Sequence, residues 1–324
     1  MTKYIIRRIL LFIPVLLLVI LTTFVLVRII PGGPFDFVGD RSLPPQIVAN
    51  LEKKYNLSDP VWKQFINYLW DLITKGDLGP SFRYKGRTVK EIIKDSLPIS
   101  AQLGLFSMIV AIFIGIPTGT IAALKQNSWF DYSATFIAVI GRSIPNMVLA
   151  PLLIWLVGLK IGWLPVARWG ALPPFFLGFI PKLDAKFIKH AILPVFALGT
   201  AFSAGIARLT RASLLQVIRE DYIRTARAKG LSERMVIIGH ALKNSLIPVV
   251  TIIGPMFAAV LTGTFIIEHI FGIPGMGKHF ITSIGNRDYA VIQGVTLVYS
   301  IALVVANLLV DITYAWLDPR IRYT

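Results

Sequence analysis

The chain has 324 residues, of which 55% are hydrophobic and 15% charged, and its mean hydropathy is +0.69. That composition excludes an ordinary soluble domain and reads as a membrane protein, with charge confined to islands between apolar runs. The absence of cysteine excludes disulfides and thiol chemistry, and the net charge of +16 does not point to nucleic acid, because the basic residues flank the apolar runs.

The first apolar run, Ile9 to Val27, is preceded by Lys3, Arg7 and Arg8. At ~1.5 Å per residue it is just long enough to cross ~30 Å of hydrocarbon. It exceeds a signal-peptide core, and "RIIPGGPFD" follows in place of a small-residue cleavage site, so a retained helix is expected. Residues 31–96 form a segment outside the bilayer, in which Trp62, Phe65, Tyr68, Leu69 and Leu72 recur at helical spacing and predict a small helical subdomain. Its slight basic excess names no partner.

Further spans are predicted at Leu103 to Leu124, Ala134 to Val157, His190 to Ile206, Leu246 to Ile267 and Val291 to Val310, giving six crossings and an all-α membrane fold. The stretch "GWLPVARWGALPPFFLGFIP", Gly162 to Pro181, holds four prolines and is expected to be an interfacial or re-entrant loop, with Trp163 and Trp169 at the lipid surface. The domain reading is an N-terminal transmembrane helix (1–30), an external segment (31–96) and a permease core (97–324).

Basic residues set the orientation. With the N-terminus inside, fourteen Lys and Arg fall on the inner side and seven in the short outer loops, so both termini are expected in the cytoplasm. The basic island "EDYIRTARAKGLSERMVIIGHALKNSLIP", Glu220 to Pro248, then faces the cytoplasm. Leu214, Ile218 and Tyr222 recur every four residues and predict one helix from about Arg211 with an apolar face and a cationic face of Arg219, Arg224 and Arg227. Gly230 stands where a helix C-cap is expected, and Ser232 starts a second helix. A basic loop that merely fixes topology is the plain alternative; a helix with one docked and one exposed face suits a handle for another protein.

"RTARAKG" followed by "HALKNSLIP" resembles the cytoplasmic loop of ABC-importer permeases, in the form found in the dipeptide/oligopeptide permease family. Aligned on Gly230, Arg224, Thr225 and Ala226 take the E-A-A positions of the importer motif, His240 and Leu242 its I and L, and Lys243 its proline, with Pro248 as the further proline of the peptide-permease variant. The chain is similar to the first, or B-type, permease of that family throughout, from "RRILLFIPVLLLVILTTFVLVRIIPGGPFD" to "SIPNMVLAPLLI", "FGIPGMGKHFITSIGNRDYAVIQGV" and "DITYAWLDPRIR".

The resemblance implies the fold of a type I ABC importer, with a coupling loop at 211–245. In it Glu220, Asp221, Arg224, Thr225, Ala226, Arg227 and Lys229 belong to the coupling helix and Gly230 is its elbow. It implies a homologous second permease, two ATPase subunits that hold the ATP and magnesium, a substrate-binding protein that docks on the external segment, the alternative being that this segment simply packs over the pore mouth, and no cofactor in this chain itself. Peptide is the substrate it implies first; oligosaccharide, nickel complexes and glutathione are carried by relatives.

"GIPGMGKH", Gly272 to His279, imitates a phosphate-binding loop, but an apolar span and not a strand precedes it, and His279 replaces the magnesium-binding hydroxyl. An external gate loop with Pro274, Gly275 and Gly277 in a turn is expected instead. Within the third span Arg142 and Asn146 lie one helical turn apart, with Pro145 between them. They are candidates for a polar translocation path, the alternative being a structural pair. No catalytic triad and no histidine metal site stand out, and the spans lack the mid-membrane acids of an ion-driven carrier.

Overall fold

The computed structural model describes residues 2–30, 33–35, 37–38, 41–42, 44–84 and 86–317. Its helices, in chain order, are α1 (Thr2–Ile29), α2 (Pro45–Lys54), α3 (Val61–Lys75), α4 (Val89–Leu124), α5 (Trp129–Ser143), α6 (Asn146–Leu153), α7 (Ala185–Val217), α8 (Asp221–Ala228), α9 (Glu233–Met235), α10 (Lys243–Ser245), α11 (Ile247–Ile270), α12 (Met276–Asn286) and α13 (Tyr289–Leu317). Two short stretches, Ile154–Lys160 and Val236–Leu242, wind in wider π-type turns. A two-residue antiparallel pair, β1 (Phe37–Val38) and β2 (Arg41–Ser42), is the small sheet among the described residues.

Four helices are long and apolar enough to cross a membrane singly: Ile6–Ile29, Val89–Leu124, Ala185–Val217 and Tyr289–Leu309. Two bent pairs, Trp129–Gly141 with Asn146–Lys160 and Glu233–Ser245 with Ile247–Phe257, bring the count to six when each is one span. The third span is therefore not the single helix its apolar run predicts. Pro145 drives Ile144 into an extended conformation, and the two halves meet at 103°. A milder 47° break precedes α11, where Pro248 occupies its first turn.

The chain divides into two units, Met1–Ile99 with Pro274–Val304, and Ser100–Ile273 with the residues from Val305. In the first, Phe24 near the end of α1 meets Phe65 of α3 edge to face at 5.1 Å. Phe35, Tyr55 and Phe82 stack nearby, with centroids 4.9 to 5.6 Å apart. Asp288, wholly buried, caps α13 and gathers the loop after α3: it accepts from the Ser81 hydroxyl and from the backbone N–H of Phe82 at 3.2 Å and of Arg83 at 3.3 Å. A buried carboxylate persists only with such donors.

In the second unit α7 is central and touches α5, α6, α10, α11 and the stretch Val236–Leu242. The stretch Gly162 to Pro181 is irregular, as its prolines require, but Trp169 does not lie at a lipid surface: it is buried, and its indole N–H donates to Gln102 Oε1 at 2.8 Å. Trp163 is exposed.

Helices α4 and α7 cross at Gly115 and Gly119, spaced four apart, where small residues let membrane helices approach closely. A Cβ on Gly119 would stand 2.3 Å from the Ala207 carbonyl oxygen. Gly119→Ala is therefore expected to lower the thermal midpoint of the detergent-purified protein, at an overpacking cost of ~1–3 kcal/mol. Gly285→Ala, where nothing lies within 4 Å, is expected to leave that midpoint unchanged.

Candidate functional site

The basic island folds as two helices meeting at Gly230, but the helix predicted from Arg211 is two helices. Residues 211–217 complete α7, and the chain turns at Ile218–Glu220 before α8 begins at Asp221. The i, i+4 series thus splits: Leu214 is buried, Ile218 half-buried and Tyr222 exposed. The docked residues of α8 are Ile223 and Ala226, three apart and hence on one face. They enter an apolar cluster with Ala123, Leu214, Val236 and Ala241. A helix of eight residues is too short to persist alone in water, so this docking holds α8 in place.

Gly230 ends α8 in a Schellman arrangement. Leu231 N–H donates to the Ala226 carbonyl at 3.4 Å and Gly230 N–H to the Arg227 carbonyl at 2.9 Å. Gly230 has φ +78, which L side chains rarely adopt, and no atom lies near its missing Cβ. Conformation, not space, demands glycine here. Two polar ties then lock the elbow. Arg227 grips Glu233 with both nitrogens, at 2.7 and 3.1 Å, and Asn244 donates to the Tyr222 hydroxyl at 2.8 Å.

Among the predicted coupling residues, Ala226 therefore faces inward and Arg227 bridges the elbow, while Glu220, Asp221, Arg224, Thr225, Lys229 and Gly230 are exposed. The Arg224 pair with Asp221 is long, at 3.3 Å, with both side chains mostly in solvent, and holds little. Glu220 and Asp221 stand at the N-terminus of α8, where negative charge suits the helix dipole, and line an open cleft of about 480 Å³ with Leu215, Gln216 and Arg219. Arg211 is no part of the exposed cationic face: its guanidinium makes a bidentate pair with buried Asp131, at 2.6 and 2.7 Å, joining α7 to α5. Sequence reading missed Ile223, Glu233 and Asn244; the opposite charges flanking Gly230 were the one available signal.

The remaining predicted positions fare differently. Asn146 is the first residue of α6 and Arg142 lies near the end of α5, so the break at Pro145 removes the shared helical face; the side chain of Arg142 lies outside the described residues. In the segment after α11 the left-handed glycine is Gly272, with φ +61. Gly275 is extended, Pro274 precedes it, and buried Gly277 already belongs to α12, so the predicted turn is a turn followed by an eleven-residue helix. As expected, a helix and not a strand leads into the phosphate-loop imitation. Lying in α12, His279 places Nδ1 3.1 Å from the Tyr84 hydroxyl. Burial, with Lys278 and Arg87 nearby, pushes its pKa below 6.5. Among the described residues no group of three or more His, Asp or Glu is placed to hold a metal ion.

Apolar spans pack around α7, and a short helix docks near its end. The fold is shared with a chain of the MetNI methionine ABC transporter in an inward-facing form, at a TM-score of 0.54 and 16% identity over 68% of this chain and 93% of that one. The chain belongs to the family described as binding-protein-dependent transport system inner membrane component, whose model matches residues 115–323; the N-terminal model of such components matches residues 1–104. It is 43% identical to the oligopeptide transport system permease protein OppB of Salmonella typhimurium over the whole of both chains. The same protein of Haemophilus influenzae is 40% identical over all of both chains. The dipeptide transport system permease protein DppB of Bacillus subtilis is 42% identical, over 99% of this chain and 98% of that one.

Two outcomes follow from the geometry. Arg227→Glu sets like charges across the elbow and is expected to speed cleavage of the exposed loop by proteinase K, which does not depend on Arg or Lys; adding Glu233→Arg is expected to return cleavage to the native rate. For His279, the unfolded chain takes up its proton near pH 6.5 while the folded chain resists until lower pH, so stability is full above 6.5 and falls as the pH drops below it. Thermal midpoints measured from pH 8 to 5 are expected to decline less steeply in His279→Gln than in the native protein.

Proposed function

We propose that this chain is the peptide-translocating permease of an ATP-driven importer. The observation that carries the reading is identity of 40 to 43% along the whole chain to permeases named for oligopeptides and dipeptides. Both termini lie in the cytoplasm, an orientation supported by the fourteen-to-seven excess of Lys and Arg on that side. Residues 220–230 then face the cytoplasm and receive an ATPase subunit, with Arg224, Thr225 and Lys229 presented outward. A homologous second permease completes the pore, and a substrate-binding protein delivers cargo on the opposite side. ATP and magnesium are held by the ATPase subunits, so this chain carries no hydrolytic site of its own.

The packing supports a specific transmission. Because Ile223 and Ala226 share one cluster with Leu214 of α7 and with Val236 and Ala241 of the stretch Val236–Leu242, a displacement of α8 is shared by α7 and by that stretch, which leads through α10 into α11. The Gly230 cap and the Arg227–Glu233 pair keep the two arms at a fixed angle. Closure of the ATPase pair on ATP would move both arms together and turn the membrane cavity toward the binding protein; hydrolysis would return it.

The test is transport and ATP hydrolysis measured together in vesicles containing all subunits. Gly230→Val, and separately Arg224→Glu, are expected to lower peptide uptake per ATP hydrolysed by about 5- to 150-fold, the span of typical coupling free energies, while membrane insertion stays native. Native uptake per ATP in both variants would contradict the role of the elbow. Uptake driven by an ion gradient without ATP would contradict the importer reading itself.

A further inference from the structure

Helix α3 has an apolar surface that its packing does not use. Its inward residues Phe65, Tyr68, Leu69 and Leu72 lie toward the protein, Phe65 and Tyr68 against Phe24 of α1. A second set, Trp62, Ile66, Trp70 and Ile73, is 66, 56, 65 and 75% exposed, and no residue of the helix is fully buried. At 3.6 residues per turn these four fall within about 80° of arc. Lys63, Asn67 and Thr74, also exposed, occupy the neighbouring arc and form the polar side. The helix thus has three faces: one docked, one polar and one apolar that is left uncovered among the described residues.

Two contacts fix where the third face sits. Phe65 meets Phe24 at 5.1 Å, and Gln64 accepts from Arg28 Nε at 3.0 Å, so α3 lies against the final turns of the membrane span Ile6–Ile29. Those turns of α1 themselves leave Val25, Leu26 and Ile29 exposed, on a helix long and apolar enough to cross a membrane. The stripe is therefore at the level where the span leaves the hydrocarbon, and it carries two tryptophans, the residue that favours that depth. Free apolar area of this size in water would be costly; here it continues the exposed apolar surface of α1.

We infer that α3 is an interfacial helix, lying in the membrane surface with Trp62, Ile66, Trp70 and Ile73 immersed in the lipid leaflet where α1 ends and with Asn67 and Thr74 turned to water. The occupant of the apolar face is lipid, not a protein partner. The helix pins residues 44–84 to the membrane beside α1, which leaves the polar side as the accessible surface of this segment. This goes beyond the transport reading and does not depend on it, since it concerns only α1, α3 and the bilayer.

The chain has no cysteine, so one introduced thiol carries one nitroxide label. Ile66→Cys, Ile73→Cys, Asn67→Cys and Thr74→Cys would each be labelled in the assembled transporter, reconstituted in phosphatidylcholine and phosphatidylglycerol vesicles. Collisions of each label with oxygen, which concentrates in lipid, and with a water-soluble nickel chelate would then be measured. All four positions but Asn67 and Thr74 are apolar and all four are exposed, so labelling leaves the packing of α3 on α1 intact. The expected result is an oxygen-to-nickel accessibility ratio several-fold higher at 66 and 73 than at 67 and 74. Equal ratios at the four positions, or labels at 66 and 73 shielded from both reagents as a covering protein would shield them, would overturn the inference.

Discussion

The arrangement depends on the burial of two small apolar contacts, Ile223 and Ala226, against Leu214, Ala123, Val236 and Ala241. An isolated eight-residue helix has no stability of its own, so α8 exists because this cluster and the Gly230 cap hold it. What is exposed on α8 follows from what is docked: once positions 223 and 226 point inward, 224, 225 and 229 point out. A surface helix so fixed stays in contact with what its docked face touches, and here that is the end of α7 and the stretch Val236–Leu242.

The candidate spans also obey one constraint: backbone groups in lipid must be satisfied within the protein. The chain breaks its helices where proline has already removed a donor, at Pro145 and Pro248, and resumes a helix at once. Close crossing is left to glycine, at Gly115 and Gly119 of α4 against α7 and at Gly294, whose missing Cβ would meet Val89 at 2.4 Å. At two span ends charge is met by a partner: Asp131 and Arg211 form a fork, and Arg28 donates to neutral Gln64 beside the Phe24 ring.

Local signals in the sequence were reliable where the structure is local. The apolar runs marked the spans, Gly230 marked the elbow and the prolines of 162–181 marked irregular chain. Reading failed where a spacing survives a change of direction. Leu214, Ile218 and Tyr222 keep a four-residue period across the turn at 218–220, so one helix was expected where there are two. Arg142 and Asn146 keep the same spacing across a 103° bend, which destroys the face they were expected to share. Long-range partners left no trace: Trp169 reads as a surface residue until Gln102, 67 positions away, takes its N–H, and nothing near Asp288 announces Ser81. Arg227 reads as a free cation because its partner Glu233 lies beyond the elbow.

The central claim is that the outward face of residues 220–230 receives the ATPase subunit. Its most direct test uses the absence of native cysteine to place a thiol-linked photo-crosslinker at exposed Thr225, and in a second preparation at exposed Leu177, in the assembled transporter. The account predicts an adduct with the ATPase subunit from position 225 and none from position 177. An ATPase adduct absent at 225, or equal at both positions, would contradict it.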